Sequence, residues 1–158
     1  MKNQFLKAIV AAAFLIAVGV VTSANAQSVS GSIGNGTVKP GVATRGTVVL
    51  SIPSGLHVNS SRPGSEYAIP TSVRVSSSGG VRVGAVSYPR GKNRKFGFSE
   101  DFINVYDGRT TFSFNVTVPK NYRAMAVKVN VTVRYQACTD EVCYPPKSKK
   151  LTLTATVL

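Results

Sequence analysis

The only two cysteines of the chain stand in one short segment, Cys138-Thr139-Asp140-Glu141-Val142-Cys143-Tyr144-Pro145-Pro146. Two thiols allow a single intramolecular pairing, and at this spacing it closes a small ring. Such a ring supports two chemistries. As a staple, it contributes about 2 kcal/mol in the chain-entropy model for a loop of roughly six residues. As an exchange site, it is attacked by another thiolate, forms a mixed disulfide and is resolved by the second cysteine. The C-x4-C spacing does not choose between the two, and it is not the C-x-x-C of thioredoxin-like proteins. Local charge does not choose either. Asp140 and Glu141 oppose thiolate formation, whereas Arg134, Lys147, Lys149 and Lys150 favour it.

Residues 1–26 bear on which compartment these thiols meet. Lys2 and Lys7 precede an apolar stretch from Ala8 to Val21, and Ala24-Asn25-Ala26 follows. A basic start, a short apolar core and small residues spaced two apart describe a secretory signal peptide. The stretch is shorter than the ~20 residues that span a bilayer as a helix. The mature chain is therefore expected to be residues 27–158, starting at Gln27, exported, soluble and not inserted in a membrane. Outside the cytosol a disulfide forms and persists.

The remaining residue types exclude several functions. One histidine and two cysteines fall short of the four ligands a structural zinc site needs, and they leave little for a Ser-His-Asp hydrolase. His57, in Leu56-His57-Val58, reads as an ordinary strand residue with no Cys, Asp or Glu near it in sequence. The net charge of +13 suits an anionic lipid, glycan or acidic protein surface. Nucleic acid is not expected, because the chain is exported and lacks an aromatic-rich binding pattern. No cofactor is expected. Asn35, Asn59, Asn115 and Asn130 begin Asn-x-Ser/Thr triplets, which matter only in a glycosylating pathway.

The elements that must hold the cysteines show an apolar period of two. Val48, Leu50 and Ile52 alternate with polar or outward residues, as do Phe112, Phe114, Val116 and Val118. The clearest run is Val127, Val129, Val131, Val133 and Tyr135, with Lys128, Asn130, Thr132 and Arg134 on its other face. Leu151, Leu153, Ala155 and Val157 repeat the pattern, and weaker runs centre on Val73 and Val75 and on Val81 and Val83. Strands with one apolar face suit antiparallel sheets packed in pairs. Pro53-Ser54-Gly55, Ser78-Gly79-Gly80, Asp107-Gly108 and Pro119 separate the runs. The expected fold is all-β: a single immunoglobulin-like antiparallel β-sandwich over residues 27–158. If the 127–135 and 151–157 runs pair, the cysteines sit on the exposed tip of that hairpin.

Tyr135-Gln136-Ala137-Cys138 and Cys143-Tyr144-Pro145-Pro146 resemble the cysteine hairpin of the N-terminal periplasmic domain of the thiol:disulfide interchange protein DsbD. The similarity extends through residues 54–63, 88–108 and the strand at 111–119, and so covers most of residues 40–157. The resemblance implies an immunoglobulin-like periplasmic domain with Cys138 and Cys143 as its redox-active pair. It also implies electron relay between a thioredoxin-like partner, or a membrane thiol transporter domain, and envelope proteins. By the same resemblance, Cys143 bonds the partner and Cys138 resolves. In the loop from Tyr88 to Ser99, Gly91 and Gly97 allow backbone freedom, and Phe96 or Phe98 either lies over the sulfurs as an apolar lid or belongs to the core edge of a solvated basic loop. Two departures stand out. The best-known members have one residue more between the cysteines. They also carry acidic side chains beside the aromatic loop, where this chain has Arg90, Lys92, Arg94 and Lys95. No membrane segment or thioredoxin-like domain follows before Leu158, so a free-standing module is expected. The alternative from the residues alone is a secreted binding or assembly module with a structural disulfide and a basic face.

Overall fold

Each alternating run forms a strand, and several shorter strands join them. The computed structural model describes residues 27–158, and the signal-peptide expectation for 1–26 lies outside the described residues. In chain order the strands are β1 (Ser28–Ile33), β2 (Thr37–Val38), β3 (Ala43–Ser51), β4 (His57–Asn59), β5 (Ser72–Ser77) and β6 (Arg82–Val83). They continue with β7 (Lys92–Arg94), β8 (Ile103–Tyr106), β9 (Arg109–Thr117), β10 (Ala126–Tyr135), β11 (Ala137–Cys138) and β12 (Lys147–Val157). Among the described residues there is no helix.

The strands form three sheets, ordered β1-β3-β9-β6, β2-β12-β10-β5 and β11-β4-β8-β7. The first two are the faces of the immunoglobulin-like sandwich. Their pairings are antiparallel except β2 with β12, which is parallel. Side chains alternate as the sequence demands. Val127, Val129, Val131, Val133 and Tyr135 of β10 are buried against Val48, Leu50, Phe112, Phe114 and Val116 of the opposing sheet, within one hydrophobic core. Each such side chain contributes roughly 1.5–3 kcal/mol when fully removed from water.

The third sheet is small, and it corrects the expected place of the cysteines. The β10–β12 ladder runs from Ala126↔Thr156 to Tyr135↔Lys147 and stops there. Pro145 and Pro146 have no N–H with which to extend it. The chain beyond Tyr135 departs as β11 and pairs with β4, placing Ala137 opposite Val58 and Cys138 opposite His57. The cysteine ring is thus anchored to a third sheet instead of standing free at a hairpin tip. β8 and β7 complete that sheet, over a second small core of Phe96, Ile103 and Val105. Gly91 has a different part from the expected one. A Cβ there would collide with the Asn104 side chain and the Val105 carbonyl, so glycine is needed for close approach to β8.

Candidate functional site

Cys138 and Cys143 form a disulfide with their Cα atoms 4.0 Å apart. The hairpin that carries it is closed on both sides. Thr139 N–H donates to the Val142 carbonyl at 2.8 Å, and Tyr144 N–H donates to the Ala137 carbonyl at 2.8 Å. The cysteines between them oppose each other as a non-hydrogen-bonded pair, in which side chains lie closest. The Thr139 hydroxyl accepts the N–H groups of Glu141 at 3.2 Å and Val142 at 3.0 Å. Its side chain therefore shapes the turn.

The two sulfur-bearing residues have unequal surroundings. Cys138 is 0% exposed, whereas Cys143 is exposed. Cys143 opens into a cleft of about 240 Å³, which Asn59, Tyr67, Ala68, Phe98 and Gln136 also line. Gln136 fixes one wall: its Oε1 accepts from Asn59 Nδ2 at 3.1 Å and from Ile69 N–H at 3.4 Å. Asn59 is itself buried and also donates to the Ile69 carbonyl, so its triplet offers no accessible acceptor. The other flanking residues scatter. Tyr135 lies in the sandwich core with its hydroxyl unpartnered, and Tyr144, Pro145 and Pro146 are exposed.

The two phenylalanines part company. Phe96 is buried and stacks on His57 with ring centroids 4.4 Å apart. Phe98 stacks on the outer face of Phe96 at 5.2 Å, is 47% exposed and lines the cleft beside Cys143. Three rings thus run in file from the interior beside β11 to the cleft mouth.

His57 is a strand residue, as its sequence reads, and the fold brings it beside the cysteines. Alternation along β4 sends Val58 into the sandwich core and His57 to the opposite face. There it meets Cys138 in register, and its Nδ1 lies 4.0 Å from Asp140 Oδ1. Nδ1 is buried with no hydrogen-bond partner. Arg94 Nη2 donates to Asp140 Oδ1 at 3.0 Å and lies over the Phe96 ring, 5.1 Å from its centroid. Burial, and then the Arg94 charge, hold the imidazole below its usual pKa of 6.5, while Asp140 and Asp107 pull it up. The carboxylate near the cysteines therefore comes from the ring, since the aromatic loop has basic residues there. No sequence signal pointed to His57, because β11 is two residues long and its pairing with β4 is non-local. Among the described residues, no group of three or more His, Cys, Asp or Glu side chains could hold a metal ion.

Comparison with known proteins identifies the family and the fold. The N-terminal periplasmic domain of ScsB from Proteus mirabilis has a similar fold, with a TM-score of 0.55 at 11% identity over 84% of this chain and 47% of that one. The reduced Neisseria meningitidis DsbD N-terminal domain aligns with a TM-score of 0.46 at 15% identity, over 80% of this chain and 87% of that one. No curated protein matches the chain. The family model described as thiol:disulfide interchange protein DsbD, N-terminal, matches residues 36–155. That span takes in β2 to β11, most of β12 and the whole cysteine ring, with β1 outside it, and the chain belongs to the DsbD N-terminal domain family.

Proposed function

We propose that this protein is an envelope thiol–disulfide exchange module that passes electrons between a thioredoxin-like partner, or a membrane thiol transporter domain, and other envelope proteins. The observation that carries the proposal is the asymmetry of the disulfide. An exposed Cys143 beside a fully buried Cys138 gives an incoming thiolate one sulfur to attack, with Cys138 as the leaving thiolate; in the reduced protein Cys143 attacks a partner disulfide and Cys138 resolves the mixed disulfide. The cleft mouth suits a docked protein. Tyr67, 87% exposed, and Phe98 line it, and Val142 and Tyr144, which flank Cys143 in the chain, are also uncovered, apolar exposure of the kind that marks interaction surfaces. In this proposal Phe98 is the side chain that shields Cys143, and Phe96 supports it from beneath.

The family and the expected signal peptide both support a periplasmic location. Among the described residues no helix is long and apolar enough to cross a membrane. Equilibration of the purified protein against glutathione and dithiothreitol redox buffers tests the function. A potential within the range of cellular thiol couples supports exchange. A value below about −300 mV, beyond reduction by such couples, favours a structural disulfide in a binding module.

A further inference from the structure

Cys138 raises a problem that the exchange proposal leaves open. As the resolving residue it must become a thiolate, yet it is completely buried, and burial in apolar surroundings raises a thiol's pKa. The basic residues of the sandwich surface do not approach it on β4 or β11. What stands opposite is a buried imidazole on the paired strand. Directly opposed residues of an antiparallel pair project from the same face, with Cβ atoms ~4.5–5.5 Å apart.

We propose that His57 is the proton acceptor that releases Cys138 as the resolving thiolate, with Asp140 as the residue that positions the imidazole. The step balances without an added oxidant. In the mixed disulfide, the Cys138 thiol gives its proton to His57, and the thiolate attacks Cys143 Sγ. The Cys138–Cys143 bond forms as the bond from Cys143 to the partner sulfur breaks, and the partner leaves as a thiolate with the electron pair. In the reverse direction the imidazolium returns the proton to Cys138.

Three further observations support the assignment. The Nδ1 of His57 is buried and without a hydrogen-bond partner in the oxidised protein, so no internal hydrogen bond has to break before the imidazole takes up a proton. Asp140, 4.0 Å from that nitrogen, is carried on the ring between the two cysteines, so opening the disulfide frees the segment that holds it. Arg94 anchors Asp140 at 3.0 Å and Phe96 covers the imidazole face, which keeps the ring in one orientation. The charged groups around His57 are Asp140, Arg94 and Asp107, the last paired with Lys92 at 2.8 Å. At neutral pH burial and Arg94 keep the imidazole uncharged, the state that accepts a proton.

The inference rests on the exchange proposal, and one experiment separates the two. Reduced full-length mature protein is mixed with dithiodipyridine, and thiopyridone release is followed by stopped-flow absorbance across pH 5 to about 9. The first phase is attack by Cys143, and the second is resolution by Cys138. His57→Gln is expected to leave the first phase unchanged and slow the second at least about tenfold at neutral pH, since positioned general bases contribute about 10²–10⁴-fold. It is also expected to abolish an inflection in the second phase below pH 6.5. Asp140→Asn, on the exposed ring, should move that inflection to lower pH in a protein whose fold is not at stake. A second phase whose rate and pH profile are unaltered in both variants overturns the role of His57. A wild-type protein with no two-phase release overturns the exchange proposal, and His57's role with it.

Discussion

The sandwich and the cysteine end are built on opposite principles. The large sheets use strands such as β9, β10 and β12, of 9, 10 and 11 residues, paired over their full length around one apolar core. The cysteine end uses β11, β4 and β7, of two, three and three residues, and a core of three side chains. The acidic residues divide the same way. All six acidic residues, Glu66, Glu100, Asp101, Asp107, Asp140 and Glu141, lie in loops and turns, and none lies on a strand of the two large sheets. Those sheets carry Arg45, Arg74, Lys128, Arg134 and Lys150. The cysteine end also carries Lys92 and Arg94 on β7, so only the acidic residues are segregated. The long ladders thus enclose the main core, and the disulfide sits on the short elements.

The sharpest way to break that division is to cut into the sandwich. Phe112→Ala removes a ring that is 0% exposed and packs edge-on against Tyr88 and Tyr106. It should cost about 3–5 kcal/mol in urea unfolding. Reducing the disulfide should cost less, about 2 kcal/mol, and leave the sandwich folded, because small domains have about 5–15 kcal/mol in hand. Circular dichroism melts with and without reductant measure this, and unfolding on reduction at room temperature would make the ring a structural necessity. Phe98→Ala should raise the alkylation rate of Cys143 in the reduced protein severalfold with no change in Tm. Phe96→Ala should lower Tm instead, since Phe96 packs inside the small core.

The smallest effect expected is on pH dependence. His57 has its pKa lowered from 6.5 by burial and by Arg94. Below pH 6.5 the unfolded chain takes up a proton that the folded protein resists, so stability falls as pH drops from 6.5 toward the folded-state pKa. Denaturant titrations between pH 7 and about 5 should show this slope in the wild type and a shallower one in His57→Gln.

The two regions also differ in how far the sequence revealed them. Runs such as Val127 to Tyr135 carry a repeated period-two signal, and burial on one face follows from it with little ambiguity. The cysteine motif was equally legible, because only two thiols exist. The asymmetry between Cys138 and Cys143 came from the family resemblance alone, and its physical basis was not legible. It depends on two residues of β11 pairing with a three-residue strand some eighty positions away, where no periodicity can accumulate. The same non-local pairing put His57 opposite Cys138 and hid it from a reading based on neighbours in sequence. Phe96 and Phe98, identical in type and two apart, became distinguishable only when Phe96 packed on His57.

The most direct test of the central claim is trapping in the envelope. Cys138→Ser and Cys143→Ser proteins are expressed with their native export, free thiols are blocked by acid quenching and alkylation, and reductant-sensitive adducts are resolved on a gel. Cys138→Ser should accumulate a mixed disulfide through Cys143 with a thioredoxin-like protein, because the resolving thiol is gone. Cys143→Ser should give far less, since its remaining sulfur is buried. Absence of adducts from both variants, or adducts predominantly through Cys138, would contradict the assignment of Cys143 as the partner-facing sulfur.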